Sequence, residues 1–192
     1  MAASAFALLC FSTSAHAGGW QENEHVSSYS PSGHTVRYLE GSTPDGWSYE
    51  IFKDGTGTLS RSGSSSYDWR LNCSKDKMTD ERTCFILKFS ANFAVTLMPN
   101  GKPLTACVIG NDFPGRRGAI RLDKQKPIKT DEAGCVVYFK IFPQLLKAKH
   151  VTTRRYEWPD DYPKDAEGSL DGFDKAISLA RYIQKNVDAI GF

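Results

Sequence analysis

Residues 67–89 read YDWRLNCSKDKMTDERTCFILKF, and the fold turns on how that stretch is read. Tyr67, Trp69, Leu71 and Cys73 share one face of an extended chain, and Asp68, Arg70 and Asn72 share the other. Successive side chains of a strand point to opposite faces, so this alternation predicts a half-buried strand. Cys84 opens a return run, CFILKF, and the polar segment between the cysteines predicts a connecting loop. The result is a hairpin with a cysteine at the inner end of each arm. The return run is apolar on both sides, with Cys84 and Ile86 on one and Phe85, Leu87 and Phe89 on the other. That pattern predicts a strand covered by a second sheet on one face and by a helix on the other.

Working outward, further strands are expected at Thr35–Glu40, Gly46–Lys53 and Thr58-Leu59, the last two joined by the turn signal Asp54-Gly55. Asn92–Met98, Leu104–Ile109, Ala119–Asp123 and His150–Trp158 read the same way. Cys135–Phe142 (CVVYFKIF) is the most continuously apolar run after the leader and predicts a central strand. Pro143–Lys149 predicts one or two helical turns with Pro at an early position, and Pro159–Glu167 an acidic loop. Phe173, Ala176, Ile177, Ala180, Ile183 and Val187 recur at helical spacing, with Asp171 as N-cap and Asp174 in the first turn. The expected architecture is mainly β: an antiparallel β-sandwich or curved sheet of about eight short strands with a C-terminal α-helix packed on it.

The ends and the cysteines set the compartment. Ala5–Phe11 is a short apolar core and Ala15-His16-Ala17 a small-x-small cleavage signature, which predicts a secretory signal peptide over 1–17, cut after Ala17. The stretch Met1–Ser4 lacks the usual Lys or Arg. Lipidation at Cys10 is disfavoured because Leu9 stands where a small residue belongs. Residues 18–66 are expected to supply a polar N-terminal arm and the first strands, and 67–192 the disulfide-stapled core of the same single domain. No run is long and apolar enough to span a bilayer. Four cysteines then remain, Cys73, Cys84, Cys107 and Cys135. An even count behind a signal peptide reads as two disulfides in a periplasmic or secreted protein. Of the three pairings, Cys73–Cys84 and Cys107–Cys135 join neighbours along an antiparallel sheet, each stabilising by about 3 kcal/mol through loop closure. No CxxC knuckle supports zinc.

Charge is small in sum, +2, and uneven in distribution. Residues 100–155 carry 12 basic and 4 acidic side chains, against 8 and 10 over residues 18–99 and 4 and 8 over residues 156–192. One reading is mutual neutralisation on folding. The sharper one is a basic contact surface for an anionic partner, with Arg116, Arg117, Arg121, Lys124, Lys126, Arg154 and Arg155 as candidates and Lys129 beside them. Export argues against nucleic acid and favours lipopolysaccharide, anionic lipid or an acidic protein. No catalytic arrangement emerges. Gly63–Ser66 is not a GxSxG elbow, and His25, His34 and His150 lie in no motif. The acidic groups Asp160/Asp161/Asp165/Glu167 and Asp76/Asp80/Glu81 lack EF-hand spacing and read as solvated loops. Trp69 and Trp158 read as core or rim aromatics rather than a sugar-stacking platform. No metal or cofactor is expected.

Several segments together resemble a family. They are Trp69-x-x-x-Cys73, the run Asp76–Cys84 (DKMTDERTC), Ile109–Pro127 (IGNDFPGRRGAIRLDKQKP) and Arg154–Ile177, which closes on SLDGFDKA. This pattern is similar to the small secreted proteins of the invasion-associated locus B family, over roughly residues 67–185. The resemblance implies a periplasmic, surface or secreted β-rich protein, with a part in host-cell invasion or envelope function in some members and no enzyme activity. The chain departs from the pattern at Gly134-Cys135, where a further cysteine often precedes the pair. The expected function is therefore an exported, non-catalytic envelope or host-interaction protein. The alternatives are a periplasmic enzyme or enzyme inhibitor with an unrecognised site, and a structural subunit of an envelope assembly.

Overall fold

The computed structural model describes residues 37–62 and 68–191. The expected signal peptide, the N-terminal arm, Tyr67 and most of the RSGSSS connector lie outside them. Two antiparallel sheets carry the chain. The larger has eight strands in the order β1 (Arg37–Ser42), β2 (Trp47–Phe52), β3 (Thr56–Arg61), β4 (Trp69–Lys75), β5 (Arg82–Lys88), β6 (Phe93–Leu97), β7 (Pro103–Val108) and β10 (Cys135–Val137). The smaller has the order β12 (Asp160–Ser169), β11 (His150–Glu157), β8 (Ala119–Leu122) and β9 (Ile128–Lys129). The mainly-β expectation is met with more strands than foreseen, and the sheets are not closed into a barrel.

The period-2 reading of the opening stretch is the register of the large sheet. Leu71 lies opposite Ile86, Ile86 opposite Val95, and Val95 opposite Ala106. All four are buried, as are Leu39, Tyr49, Ile51, Leu59 and Trp69 on the same side. Helix α2 (Phe173–Lys185) lies on that face and packs against β3, β4 and β5. Its Phe173, Ala176, Ile177, Ala180 and Ile183 are all buried. Burying each large apolar side chain contributes about 1.5–3 kcal/mol, so this stripe is a main source of stability. β3 makes room by carrying Gly57: a Cβ there would lie 3.1 Å from Ile183 Cδ1.

Both expected disulfides are present, and both join residues directly opposite in register. Cys73–Cys84 lies on the helix-covered face, with its sulfurs 3.9 and 3.5 Å from the Ala180 carbonyl oxygen. A disulfide sulfur bears no hydrogen, so these are packing contacts. Cys107–Cys135 lies on the opposite face, between β7 and the edge strand β10, and is half-buried.

Four expectations are corrected. Cys135–Phe142 is not a central strand: only Cys135–Val137 is extended, at the sheet's edge, and Tyr138–Leu145 is helix α1 with Pro143 inside it. Val136 on β10 and Ile141 on α1 face the core, whereas Val137, Tyr138 and Phe139 of the same run are 41%, 40% and 65% exposed. Pro159–Glu167 is not a loop, since Asp160–Ser169 pairs with β11 along almost its whole length, beyond a cis Trp158–Pro159 bond. Asp171 does not cap α2. Gly172 holds the N-cap position at φ 74°, and Asp171 pairs with Arg61 instead. A side chain at residue 172 would also collide with the Trp47 ring, at 2.5 Å. Finally, the outer face of β5 is not covered. Phe85 and Phe89 are 41% and 53% exposed, because the small sheet packs against the end of the large one, at the 3₁₀ turn Phe89–Ala91 and β7. There Thr153 donates to the Ala91 carbonyl and Gly168 closes on Ser90.

Candidate functional site

The basic candidates gather on the small sheet, whose two faces differ. Ile120, Leu122, Val151 and Thr153 point inward and are buried. By alternation Arg121, Thr152 and Arg154 point outward. The pairing register places Asp165, Arg154, Ala119 and Lys129 in one row across the four strands, and Glu167, Thr152 and Arg121 in the next. Acidic residues therefore occupy the β12 side and basic residues the β8–β9 side.

This arrangement divides the seven candidates. Arg116 donates twice to Asp161, at 2.6 and 2.5 Å, and Arg154 donates twice to Asp165, both at 2.7 Å. Arg155 reaches Glu157 at 3.3 Å. Such fork-to-carboxylate pairs are the geometrically specific form of ion pair. The hydrogen bond from Arg116 holds Asp161 below the ordinary carboxylate range, and that from Arg154 does the same for Asp165. Glu157 is lowered first by the Lys164 hydrogen bond and further by the charges of Lys164 and Arg155. The reading of mutual neutralisation holds for these three arginines.

It does not hold for the rest. Arg117, Arg121, Lys124 and Lys126 are exposed, as is Lys129, and among the described residues none of them meets a carboxylate. Arg121 gives its Nε–H to the Gln125 carbonyl at 3.2 Å, which folds it over the β8–β9 turn and leaves its outer nitrogens open. The acid within the turn, Asp123, is occupied by the backbone N–H groups of Lys149 and His150 at 3.1 and 2.9 Å. Arg121, Lys124, Lys126 and Lys129 thus lie on the β8–β9 hairpin, and Arg117 precedes it in the chain. Composition and spacing located these cations. They could not tell free cations from paired ones, because Asp161 lies 45 residues beyond Arg116 and Asp165 meets Arg154 only through the register of β11 with β12.

Elsewhere, Trp69 is fully buried and donates its indole N–H to the Asp171 carbonyl at 2.7 Å, whereas Trp158 is 63% exposed. Among the described residues no group of three or more His, Cys, Asp or Glu side chains converges as a metal site would, and no helix is long and apolar enough to cross a membrane. Comparison with family models, curated proteins and solved structures finds no match to this chain.

Proposed function

We propose that this protein is an exported, non-catalytic binding protein that meets an anionic envelope or host partner through the β8–β9 hairpin. The observation that carries the reading is the division of charge: among the described residues Arg117, Arg121, Lys124, Lys126 and Lys129 meet no carboxylate, while their neighbours Arg116, Arg154 and Arg155 are paired with Asp161, Asp165 and Glu157. Like charges held together on one turn repel, which opposes the folded state. A partner that supplies negative charge would relieve that repulsion on binding. Two disulfides fit an oxidising compartment outside the cytoplasm. The resemblance to the invasion-associated locus B family, some members of which have a proposed part in host-cell invasion or envelope function, points the same way.

The test is sedimentation with vesicles of phosphatidylglycerol as the anionic probe, across a range of salt. Exposed charges are screened within about 8 Å at physiological ionic strength, so binding is expected to fall steeply as salt rises. Binding that is unchanged by salt would overturn the reading.

A further inference from the structure

Helix α1 presents an apolar stripe to the outside, and its geometry fixes which side chains make it. The helical turn continues past Leu145. Leu146 stays helical and its N–H donates to the Phe142 carbonyl, while the N–H groups of Lys147 and Ala148 both donate to the Gln144 carbonyl. At about 100° per residue, Phe139 and Leu146 stand about 20° apart, with Phe142 on one side of them and Pro143 on the other. Phe139 is 65% and Leu146 54% exposed, Pro143 is exposed and Phe142 is half-buried. The Tyr138 ring stands edge-on to both Phe139 and Phe142, with centroids 6.1 and 6.4 Å apart. Ile141 and Leu145, round the helix from this stripe, are the buried residues that dock α1 on the sheet.

Lys140 and Lys147 form the next stripe, again about 20° apart and about 100° round from Phe139 and Leu146. Both are exposed, as is Lys149, and among the described residues none of the three meets a carboxylate. From Ala133 to Tyr156 the chain holds no acidic residue. The end of this segment is tied to the β8–β9 hairpin. Asp123 accepts the backbone N–H groups of Lys149 and His150 at 3.1 and 2.9 Å, and its own N–H donates to the His150 carbonyl at 3.0 Å. The turn that carries Lys124 and Lys126 therefore adjoins the residues that follow Lys147.

An apolar stripe beside a lysine stripe, on one exposed helix, matches a boundary where negative charge gives way to hydrocarbon. The surface of an anionic bilayer is such a boundary. Its phosphates attract the ammonium groups, and the long lysine stems let these reach the headgroups while neighbouring apolar side chains sink to the acyl edge. A second copy of the chain fits less well, because a two-fold contact joins a patch to itself and sets lysines against lysines. We infer that α1 is a membrane-contacting helix: it lies along the surface of an anionic bilayer, with Phe139, Pro143 and Leu146 at the headgroup–acyl boundary and Lys140 and Lys147 among the phosphates. This rests on the anionic-partner reading and names the partner as a lipid surface. The β8–β9 cations supply the attraction and α1 the apolar grip. One weak membrane signal binds marginally, whereas an apolar anchor and a basic patch together bind stably.

Sedimentation with phosphatidylglycerol vesicles tests this with two variants that keep the parent's charge. Phe139→Ser/Leu146→Ser removes only exposed apolar surface, and circular dichroism checks its fold. Its affinity for the vesicles should fall at least about tenfold while the parent's salt dependence is retained. Phe139→Trp should bind like the parent, and its added indole should be quenched, relative to the parent, by vesicles with brominated acyl chains. A folded double-serine variant that binds as well as the parent, or an added indole left unquenched in the bound protein, would overturn the assignment. So would Phe139-dependent self-association without vesicle binding. Soluble polyphosphate separates this inference from the anion reading. Salt-dependent binding of polyphosphate without vesicle binding overturns the lipid contact alone, and binding of neither overturns both.

Discussion

The two disulfides differ in a way that loop length alone gets wrong. Cys73–Cys84 spans 11 residues and Cys107–Cys135 spans 28. Loop-closure entropy assigns about 2.8 kcal/mol to the first and about 3.6 to the second, so the longer loop should be the costlier to open. Position reverses the order. Cys73 and Cys84 are 2% and 0% exposed and press on Ala180 of α2, whereas Cys107 and Cys135 are half-buried on the uncovered face. Replacing the inner pair by alanine also deletes two buried sulfurs at the helix–sheet contact. Each resembles the loss of a buried methylene plus part of its cavity, about 1 kcal/mol or slightly more. Cys73→Ala/Cys84→Ala should therefore cost about 5 kcal/mol and Cys107→Ala/Cys135→Ala about 3.6. Urea unfolding under non-reducing conditions, followed by the fluorescence of the buried Trp47 and Trp69, measures both. An outer-pair variant at least as destabilised as the inner-pair variant would refute the placement of Cys73–Cys84 in the main core.

Two further predictions concern the core and the paired charges. Trp69→Phe removes the indole N–H that satisfies the Asp171 carbonyl just before α2. A loss of about 2–4 kcal/mol in urea unfolding is expected from the orphaned acceptor and the smaller ring, and a loss under about 0.5 would contradict that role. Acid should loosen the β11–β12 hairpin. Asp161, Asp165 and Glu157 have folded-state pKa values held below their ordinary ones by Arg116, Arg154 and Lys164, in that order. A carboxylate depressed on folding stabilises fully above its unfolded value and ceases to do so as pH falls through its folded one. Amide exchange across residues 150–169 should therefore accelerate as pH drops below the ordinary values of 3.8 for Asp and 4.5 for Glu, beyond the intrinsic pH trend. Asp161→Asn/Asp165→Asn should show much of that loosening already at neutral pH, and an identical profile in parent and variant would contradict it.

Where the sequence was legible, it was so because one face was buried and the other was wet. Trp69, Leu71 and Cys73 alternate with Arg70 and Asn72, and the α2 stripe repeats at helical spacing, so periodicity alone placed both. The cysteine pairs followed from the same neighbour order. Legibility failed where burial does not alternate. Cys135–Phe142 is apolar without a clear period, and such a run does not distinguish a strand from a strand that turns into a helix. β12 shows no apolar alternation because it is the outer strand of a sheet with a solvated face, and its Pro163 reads as a loop signal although an edge strand tolerates it. Phe85 and Phe89 suggested a covering layer that the small sheet, packed at the end of the large one, does not supply. At the site, sequence placed the cations in one segment but could not pair Arg116 with Asp161 or Arg154 with Asp165, since those partners meet only through sheet register. Trp69 and Trp158 both read as core or rim aromatics, and only the structure separates them, burying Trp69 and leaving Trp158 exposed.

The claim that the unpaired cations of β8–β9 are the contact surface is tested most directly by comparing two variants in the vesicle assay. Arg121→Gln/Lys124→Gln/Lys126→Gln removes three free charges, and Arg116→Gln/Asp161→Asn/Arg154→Gln/Asp165→Asn removes two matched pairs without changing the net charge. The first variant should bind far more weakly at low salt and show a flatter salt dependence. The second should keep the parent's salt dependence, because its charges are not available to a ligand. Equal loss in both variants, or loss confined to the second, would contradict the account.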